Sequence, residues 1–331
     1  MGSSDAGRPP MLRDVDRGPM AWTNDSLPAE AGLVRVDEAC RDEVLKTAAY
    51  LEANPLPILS LRPTDFEMPL CRAVMARAKD ILVQGIGFVV IDRLPVDEMS
   101  RETATALDWL LVNMVGQTVA QKWDGTMVYD VRDTGLKREA GSGIRSSITN
   151  EGQGYHTDNA FNVPPNYVTL FCLRPAKEGG VNGVVSFQTA HNRMLEQHPD
   201  LLERLYEPFY FDRQQEHAPD DPDKVSRSPI FRYDSGKLHT QFADMLVYAG
   251  YKVAGVEMDD RGRAAIEALT SIIEESDARH DFMFEPGQIQ IVDNRRLGHR
   301  RTAYTDWPEP DQRRHLVRLW IRDEGRPFYL G

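Results

Sequence analysis

Apolar residues recur at three- and four-residue steps over 37–53 (DEACRDEVLKTAAYLEA) and 68–84 (MPLCRAVMARAKDILVQ). That spacing gathers them on one face of a helix, so the chain predicts two amphipathic helices near its start. A β-branched run at 87–94, GFVVIDRL, reads as a buried strand ended by Pro95, and helical spacing returns over 97–115. The pattern then changes. Short apolar runs dominate: TMVYDV (126–131), NYVTLFCL (166–173), GVVSF (183–187), PFYF (208–211), PIFRY (229–233), IQIVD (289–293) and HLVRLWI (315–321). Gly, Pro, Asp and Asn punctuate them, as turns require. A helix pair is predicted over 189–206 and one longer helix over 260–276.

Strands and helices do not alternate regularly, which argues against a doubly wound parallel sheet. Many short strands, with helices at the start and in one insert, predict a mainly β domain, a β-sandwich or jelly roll decorated by helices. Residues 1–30 are polar and rich in Gly, Pro and charge, and are expected to form a flexible or loosely docked lead-in. No internal repeat marks a second domain, so 31–331 is read as one.

Composition narrows the function classes. The 331 residues are 41% apolar, enough for a full core. A formal charge of −12 lacks the positive field that nucleic acid or an anionic membrane demands. No apolar run approaches the roughly 20 residues of a membrane span. The N-terminus has no apolar h-region, and the three cysteines (Cys40, Cys71, Cys172) share no CxxC spacing. Both features predict a cytoplasmic protein with reduced thiols. The Gly85–Gly87 pair lacks a third glycine, and GxxxxGK[ST], GxSxG and HExxH are absent, so ATPase, serine hydrolase and zincin readings fall away.

One of the eight histidines has informative company. In GYHTDNAF, His156 and Asp158 are two residues apart, which on an extended segment directs both side chains to one face. The bland alternative is a surface Asp bonded to a His. A metal needs a third ligand. His191, His198, His217 and His280 lie among polar neighbours and are expected to be solvated, while His239 and His315 belong to predicted strands. His299 follows a buried strand and a DNRR turn, a plausible place for a ligand arriving across a barrel. Two histidines and one carboxylate leave three cis positions of an octahedron open, the set expected of a non-haem Fe(II) oxygenase. In RRHLVRLWIR, period-2 alternation puts Arg314, Leu316, Arg318, Trp320 and Arg322 on one face. An arginine held between Leu316 and Trp320 needs a carboxylate partner, from a ligand or from one of the protein's own acids.

These segments together resemble the TauD/TfdA group of Fe(II)- and 2-oxoglutarate-dependent dioxygenases, the taurine dioxygenase-like branch. They are similar also to gamma-butyrobetaine hydroxylase and clavaminate synthase-like proteins. The similarity runs from GFVVIDRLPV through VGQTVAQKWDGTMVYDVRD and YHTDNAFNVPPNYVTLFCLRPAKEGG to PGQIQIVDNRRLGHRRTAYTDWPEPDQRRHLVRLWIR, roughly residues 85–322. The resemblance implies a double-stranded β-helix (jelly roll, cupin-like) core with N-terminal helices (about 31–115), a catalytic core (about 116–325) and a helical insert. It implies that His156, Asp158 and His299 bind Fe(II), that Arg318 grips the distal carboxylate of 2-oxoglutarate, and that Arg314 is a second cation there. The family usually carries Thr or Ser after the paired glycines; here Val181 and Asn182 follow Gly179 and Gly180, so an Asn182 amide would replace that hydroxyl. Where the family often writes HGRT, this chain has His299-Arg300-Arg301-Thr302. The implied reaction consumes 2-oxoglutarate and O2, releases succinate and CO2, and oxidises a C–H bond of a small molecule, by default to an alcohol. Desaturation, epoxidation or ring closure would use the same machinery, whereas retention of Asp158 disfavours halogenation. Substrate contacts are expected from Gln121, Tyr129, Arg145, Asn159, Phe161 and Phe242, and the 133–155 segment is expected to be a lid or a connector. The alternative is a binding module or sensor that keeps the metal without turnover. A homo-oligomer contact through the N-terminal helices is compatible with the sequence.

Overall fold

In the computed structural model, which describes residues 10–137 and 145–330, the spacing of the N-terminal third becomes three helices, Glu38–Ala53, Pro69–Gln84 and Arg101–Val112. Each starts where the sequence supplies a cap or a proline. The Asp37 carboxylate accepts the Cys40 N–H and Ser100 Oγ the Thr103 N–H, while Pro69 opens the second helix with its fixed φ. Their apolar faces, including Val44, Met75 and Leu107, pack on one side of a seven-stranded sheet.

That sheet runs in the order Leu33–Arg35, Phe88–Asp92, Ile289–Asp293, Tyr167–Arg174, His315–Arg322 and Gln117–Val119, with Tyr129–Val131 also paired to the C-terminal strand. Alternation sorts the last strand. Val317, Leu319 and Ile321 meet the helices, and Leu316 and Trp320 belong to clusters on the other side. A four-stranded sheet, Arg279–Phe282, Asn182–Ser186, Leu297–Arg301 and Gln153–His156, packs against that inner side; its Tyr155 and Val185 share a core with Val119, Val168 and Trp320. The two sheets make the expected double-stranded β-helix.

A long insert accounts for much of the second half of the chain. Asn182–Ser186 and Arg279–Phe282 are sheet neighbours, so residues 187–278 leave the edge of the smaller sheet and return to it. They form helices Phe187–Gln197, Pro199–Leu205, Asp244–Ala254 and Asp260–Ile273 and two small hairpins. Helix Asp244–Ala254 escapes the sequence pattern because Met245, Leu246, Val247 and Tyr248 run consecutively instead of at helical steps. The strand expected over 126–131 shortens to Tyr129–Val131, since the Asp124 side chain holds Thr126 in a turn.

Two expectations need correction. Residues 1–9 of the lead-in lie outside the described residues, but from about Met20 the segment is packed. Met20 and Trp22 share a buried cluster with Phe88, Val184, Val292 and Leu297, bridging the two sheets. Trp22 Nε1 donates to Ile86 O (2.8 Å) and Thr189 Oγ1 to Trp22 O (2.6 Å). A polar average concealed two large apolar side chains whose burial contributes about 1.5–3 kcal/mol each. His191, expected to be solvated, is fully buried and hydrogen-bonded to Tyr206 Oη at 2.7 Å; burial pushes its ring down to about 4, so it is neutral core. All three cysteines are free and buried.

Candidate metal centre

Strand Gln153–His156 pairs antiparallel with Leu297–Arg301, and His156 lies directly opposite His299. Opposed residues share a face with Cβ atoms about 5 Å apart, so the rings meet. Their centroids are 4.3 Å apart. His299 therefore arrives on the hydrogen-bonded neighbouring strand, not from across the barrel. Beyond His156 the chain bends through Asn159, whose φ of 58° suits an asparagine. Asp158 Oδ1 then sits 3.3 Å from His156 Nε2 and 3.6 Å from His299 Nε2. One ligand atom from each of the three lies within 4.8 Å of the others.

The electrostatics suit a cation. His156 Nδ1 lies 3.0 Å from Gly154 O, and its Nε2 lies 2.8 Å from Gln153 Nε2 and 3.3 Å from Asp158 Oδ1. Burial, then the neighbouring His156 ring, pushes His299 below its ordinary value against the pull of Asp158, which keeps it neutral. Burial alone would raise the Asp158 carboxyl. The Arg318 guanidinium and the bonds from His156 and His299 overrule it and hold the group well below the usual carboxylate range. Two imidazoles and one ionised carboxylate make an N,N,O donor set, which fits Fe(II).

Asp158 is fixed on three sides. Its Oδ2 accepts Trp320 Nε1–H at 2.7 Å and lies 3.0 Å from Arg318 Nη1. Its backbone N–H donates to Asn294 Oδ1 (2.7 Å), and Asn294 Nδ2 donates back to Asp158 O (3.0 Å) and to Pro165 O (3.3 Å). Sequence reasoning passed over both Trp320 and Asn294 as site residues. The only signal was an asparagine in the DNRR turn.

Gln121 and Tyr129, expected at the substrate, instead hold Arg318. Gln121 Oε1 accepts Arg318 Nε–H at 2.7 Å, and Gln121 Nε2 donates to Met127 O and Arg318 O. Tyr129 lies under the guanidinium, 4.9 Å from its ring centroid. Neither lines the cavity beside the metal ligands. Arg145, Asn159, Phe161 and Arg318 do, together with His156 and Asp158. Arg145 also pairs with the buried Glu216 at 2.6 Å. Phe242 needs correction. It is 1% exposed and packs edge-to-face on Phe187 in the core, bonding Thr157 only through its backbone. Ala243, Asp244 and Met245 reach the cavity in its place, carried by the helix the sequence did not reveal. Residues 138–144 of the expected lid lie outside the described residues.

Arg314 lies just before the C-terminal strand, beyond an irregularity in its pairing between His315 and Leu316. Buried, it flanks the Tyr304 ring with Arg301, their guanidinium carbons 5.0 and 4.8 Å from the centroid. Among the described residues neither is within ion-pair distance of a carboxylate, and Arg314 Nη1 and Arg301 Nε are buried without a partner. Asn182 stands opposite Arg301 and donates to Gly180 O at 3.2 Å. The paired glycines are required here: at a φ of 72°, a Cβ on Gly179 would lie 2.3 Å from Ala303 O.

Comparison with known proteins agrees with this geometry. The family model for the taurine catabolism dioxygenase TauD, TfdA family matches residues 58–320. FR-33289 synthase of Streptomyces rubellomurinus is 29% identical over 297 residues, 88% of this chain and 86% of that protein. Asparagine oxygenase in complex with Fe(II), 2S,3S-3-hydroxyasparagine and succinate has the same fold, with TM-score 0.66 at 19% identity over 88% of this chain and 94% of that one. The non-haem iron oxygenase OrfP in complex with Fe and alpha-ketoglutaric acid gives TM-score 0.62 at 16% identity, covering 88% and 94%. With the family model spanning most of the chain and the His-Asp-His group assembled, the protein belongs to the TauD/TfdA family and is an Fe(II)- and 2-oxoglutarate-dependent dioxygenase.

Proposed function

We propose that the enzyme hydroxylates a C–H bond of a small molecule bearing an acidic group, such as an amino acid or a specialised-metabolism intermediate. The carrying observation is that two arginines, Arg145 and Arg318, line one cavity with Asp158. His156, Asp158 and His299 are the residues that would hold Fe(II). Bound there with 2-oxoglutarate and O2, it supplies the oxidation, in which the co-substrate leaves as succinate and CO2 and one oxygen atom enters the substrate. Trp320 and Arg318 occupy Oδ2 of Asp158, which leaves Oδ1 to the metal and keeps the carboxylate ionised.

A diacid held at one end by the metal needs a cation at its far end. Arg318, given that role by the family resemblance, touches the Asp158 carboxylate itself. Arg314, backed by Arg301, fits the far carboxylate better, because two buried guanidinium groups there lack an anion among the described residues. Asn182 then acts on the glycine turn beside them through its bond to Gly180 O. Arg318, whose Nη2 is buried without a partner, serves the substrate once a metal shares the Asp158 charge. Arg145 meets the same acidic group by exchanging Glu216 for it. No helix among the described residues is long and apolar enough to cross a membrane, and we read the enzyme as cytoplasmic.

Succinate release from purified protein, Fe(II) and a panel of acidic small molecules, each beside its neutral amide or ester, tests the reading. Acidic members should turn over and neutral partners should not. Arg314→Lys keeps the charge but loses the planar fork, and should raise the 2-oxoglutarate requirement at least tenfold. Arg318→Lys should raise the substrate KM instead. The opposite pattern returns the distal carboxylate to Arg318, and co-substrate binding without turnover on any compound favours a binding module.

A further inference from the structure

We propose a second binding site in this protein, one for a small oxyanion, in a cavity beside the segment that carries Asp158. The cavity has a volume of about 210 Å³ and lies between the hairpin Phe231–Asp234/Lys237–Thr240, the turn at Arg295 and residues 162–164. No residue lines both this cavity and the one at the metal ligands. Its charged and titratable lining is Arg232, His239 and Arg295, with no carboxylate among the lining residues.

The cavity is short of an acceptor. Arg295 Nη2 donates to Pro164 O at 3.0 Å, but its Nε is buried without a partner, as are His239 Nδ1 and Thr240 Oγ1. Among the described residues, neither Arg232 nor Arg295 lies within ion-pair distance of an acid. Asp293, the acid nearest in sequence, is taken by Arg296 at 2.7 Å. Burial and then Arg232 push Arg295 below its ordinary value, partly offset by Asp293 and Asp323; burial, Arg295 and Arg232 do the same to His239. Unmet buried polar groups each cost about 1–3 kcal/mol, so such a cluster around the Arg295 guanidinium persists where something completes it. An oxyanion does so. It supplies several acceptors at once and the missing negative charge.

Size limits the class. The volume is several times the roughly 30 Å³ share of one water, yet below the range of about 300 Å³ and upward of drug-sized ligands. A free phosphate or a short carboxylate fits. The walls are tied to the catalytic segment: Thr240 N–H donates to Arg295 O at 2.7 Å, and Gln241 Nε2 to Ala160 O and Asn162 O at 3.2 Å. Asn294, next to Arg295, is the residue that clamps Asp158.

The test uses full-length protein loaded with diamagnetic Zn(II) and 2-oxoglutarate, so that the co-substrate site is filled. Ring-labelled histidine spectra follow His239, assigned by the resonance lost in His239→Gln, as inorganic phosphate or malonate is added against sodium chloride of matched ionic strength. A saturable shift of the His239 signal is expected, with affinity weakened at least tenfold in Arg232→Ser, a change at an exposed residue that the fold tolerates. A response to malonate alone keeps the site and assigns it to carboxylates; a response to phosphate alone assigns it to phosphate. No shift beyond the chloride control with either anion, or an Arg232→Ser protein that responds like the unaltered one, overturns the proposal.

Discussion

Replacing Asn294 isolates what the fold contributes to the metal centre, because this side chain touches Asp158 only through its backbone. It makes three hydrogen bonds, at 2.7, 3.0 and 3.3 Å, and is fully buried. Asn294→Ala leaves one N–H and two carbonyls in the interior without these partners. At about 1–2 kcal/mol each, the loss is roughly 3–6 kcal/mol, shared between the stability of the fold and the placement of the ligand. The ligand's share should appear as a metal affinity weakened by about 10- to 100-fold, as for other groups that orient a ligand. Asn294→Asp keeps the acceptor for Asp158 N–H but turns a carboxylate oxygen toward the carbonyls of Asp158 and Pro165, so it should bind metal no better than the alanine variant. Anaerobic titration calorimetry with Fe(II) reads the affinity, and thermal unfolding of the metal-free protein reads the fold separately. Unaltered affinity in both variants would refute the claim that this amide positions Asp158.

Other perturbations test neighbouring links. Asp158→Ala and His156→Ala should each abolish succinate release, but only Asp158→Ala strips Arg318 of its buried partner; by circular dichroism it alone should lose about 3–5 kcal/mol of metal-free stability. Arg145→Ala should raise the substrate KM about tenfold with 2-oxoglutarate affinity unchanged, since 1.4 kcal/mol corresponds to that factor; steady-state kinetics with an unchanged KM would end its role at the substrate. Asp108 is fully buried without a partner among the described residues, and burial alone pushes its carboxyl well above the ordinary 3.8. The folded state therefore holds this proton more tightly than the unfolded chain. Its contribution to stability is complete below about pH 4 and declines as pH rises toward the folded value. Asp108→Asn should be more stable than the unaltered protein at pH 8, with the gap closing toward pH 4 in urea unfolding.

Local pattern carried much of this protein. Helices at 38–53 and 69–84 followed from apolar spacing, and the inward face of the last strand from strict alternation, because both periodicities are properties of the backbone and need no knowledge of neighbours. The nearness of His156 and Asp158 was legible from their spacing, although Asp158 lies in a turn just past the strand that ends at His156. Distance in sequence hid the rest. His299 faces His156 through strand register, and Asn294 and Trp320 reach Asp158 from 136 and 162 residues away. Whether Arg318 or Arg314 lacks an anion depends on which buried groups surround each guanidinium, and the spacing of the last strand contains nothing about that. Phe242 illustrates the same limit in reverse: its type suited a cavity wall, but the helix beginning two residues later turned it into the core and brought Met245 to the cavity instead. Composition and period thus determined the class of fold and the first pair of candidate metal ligands. Only the meeting of distant strands and of the insert decided the third ligand, its supports and the shape of the cavity, since those contacts depend on closure of the whole chain.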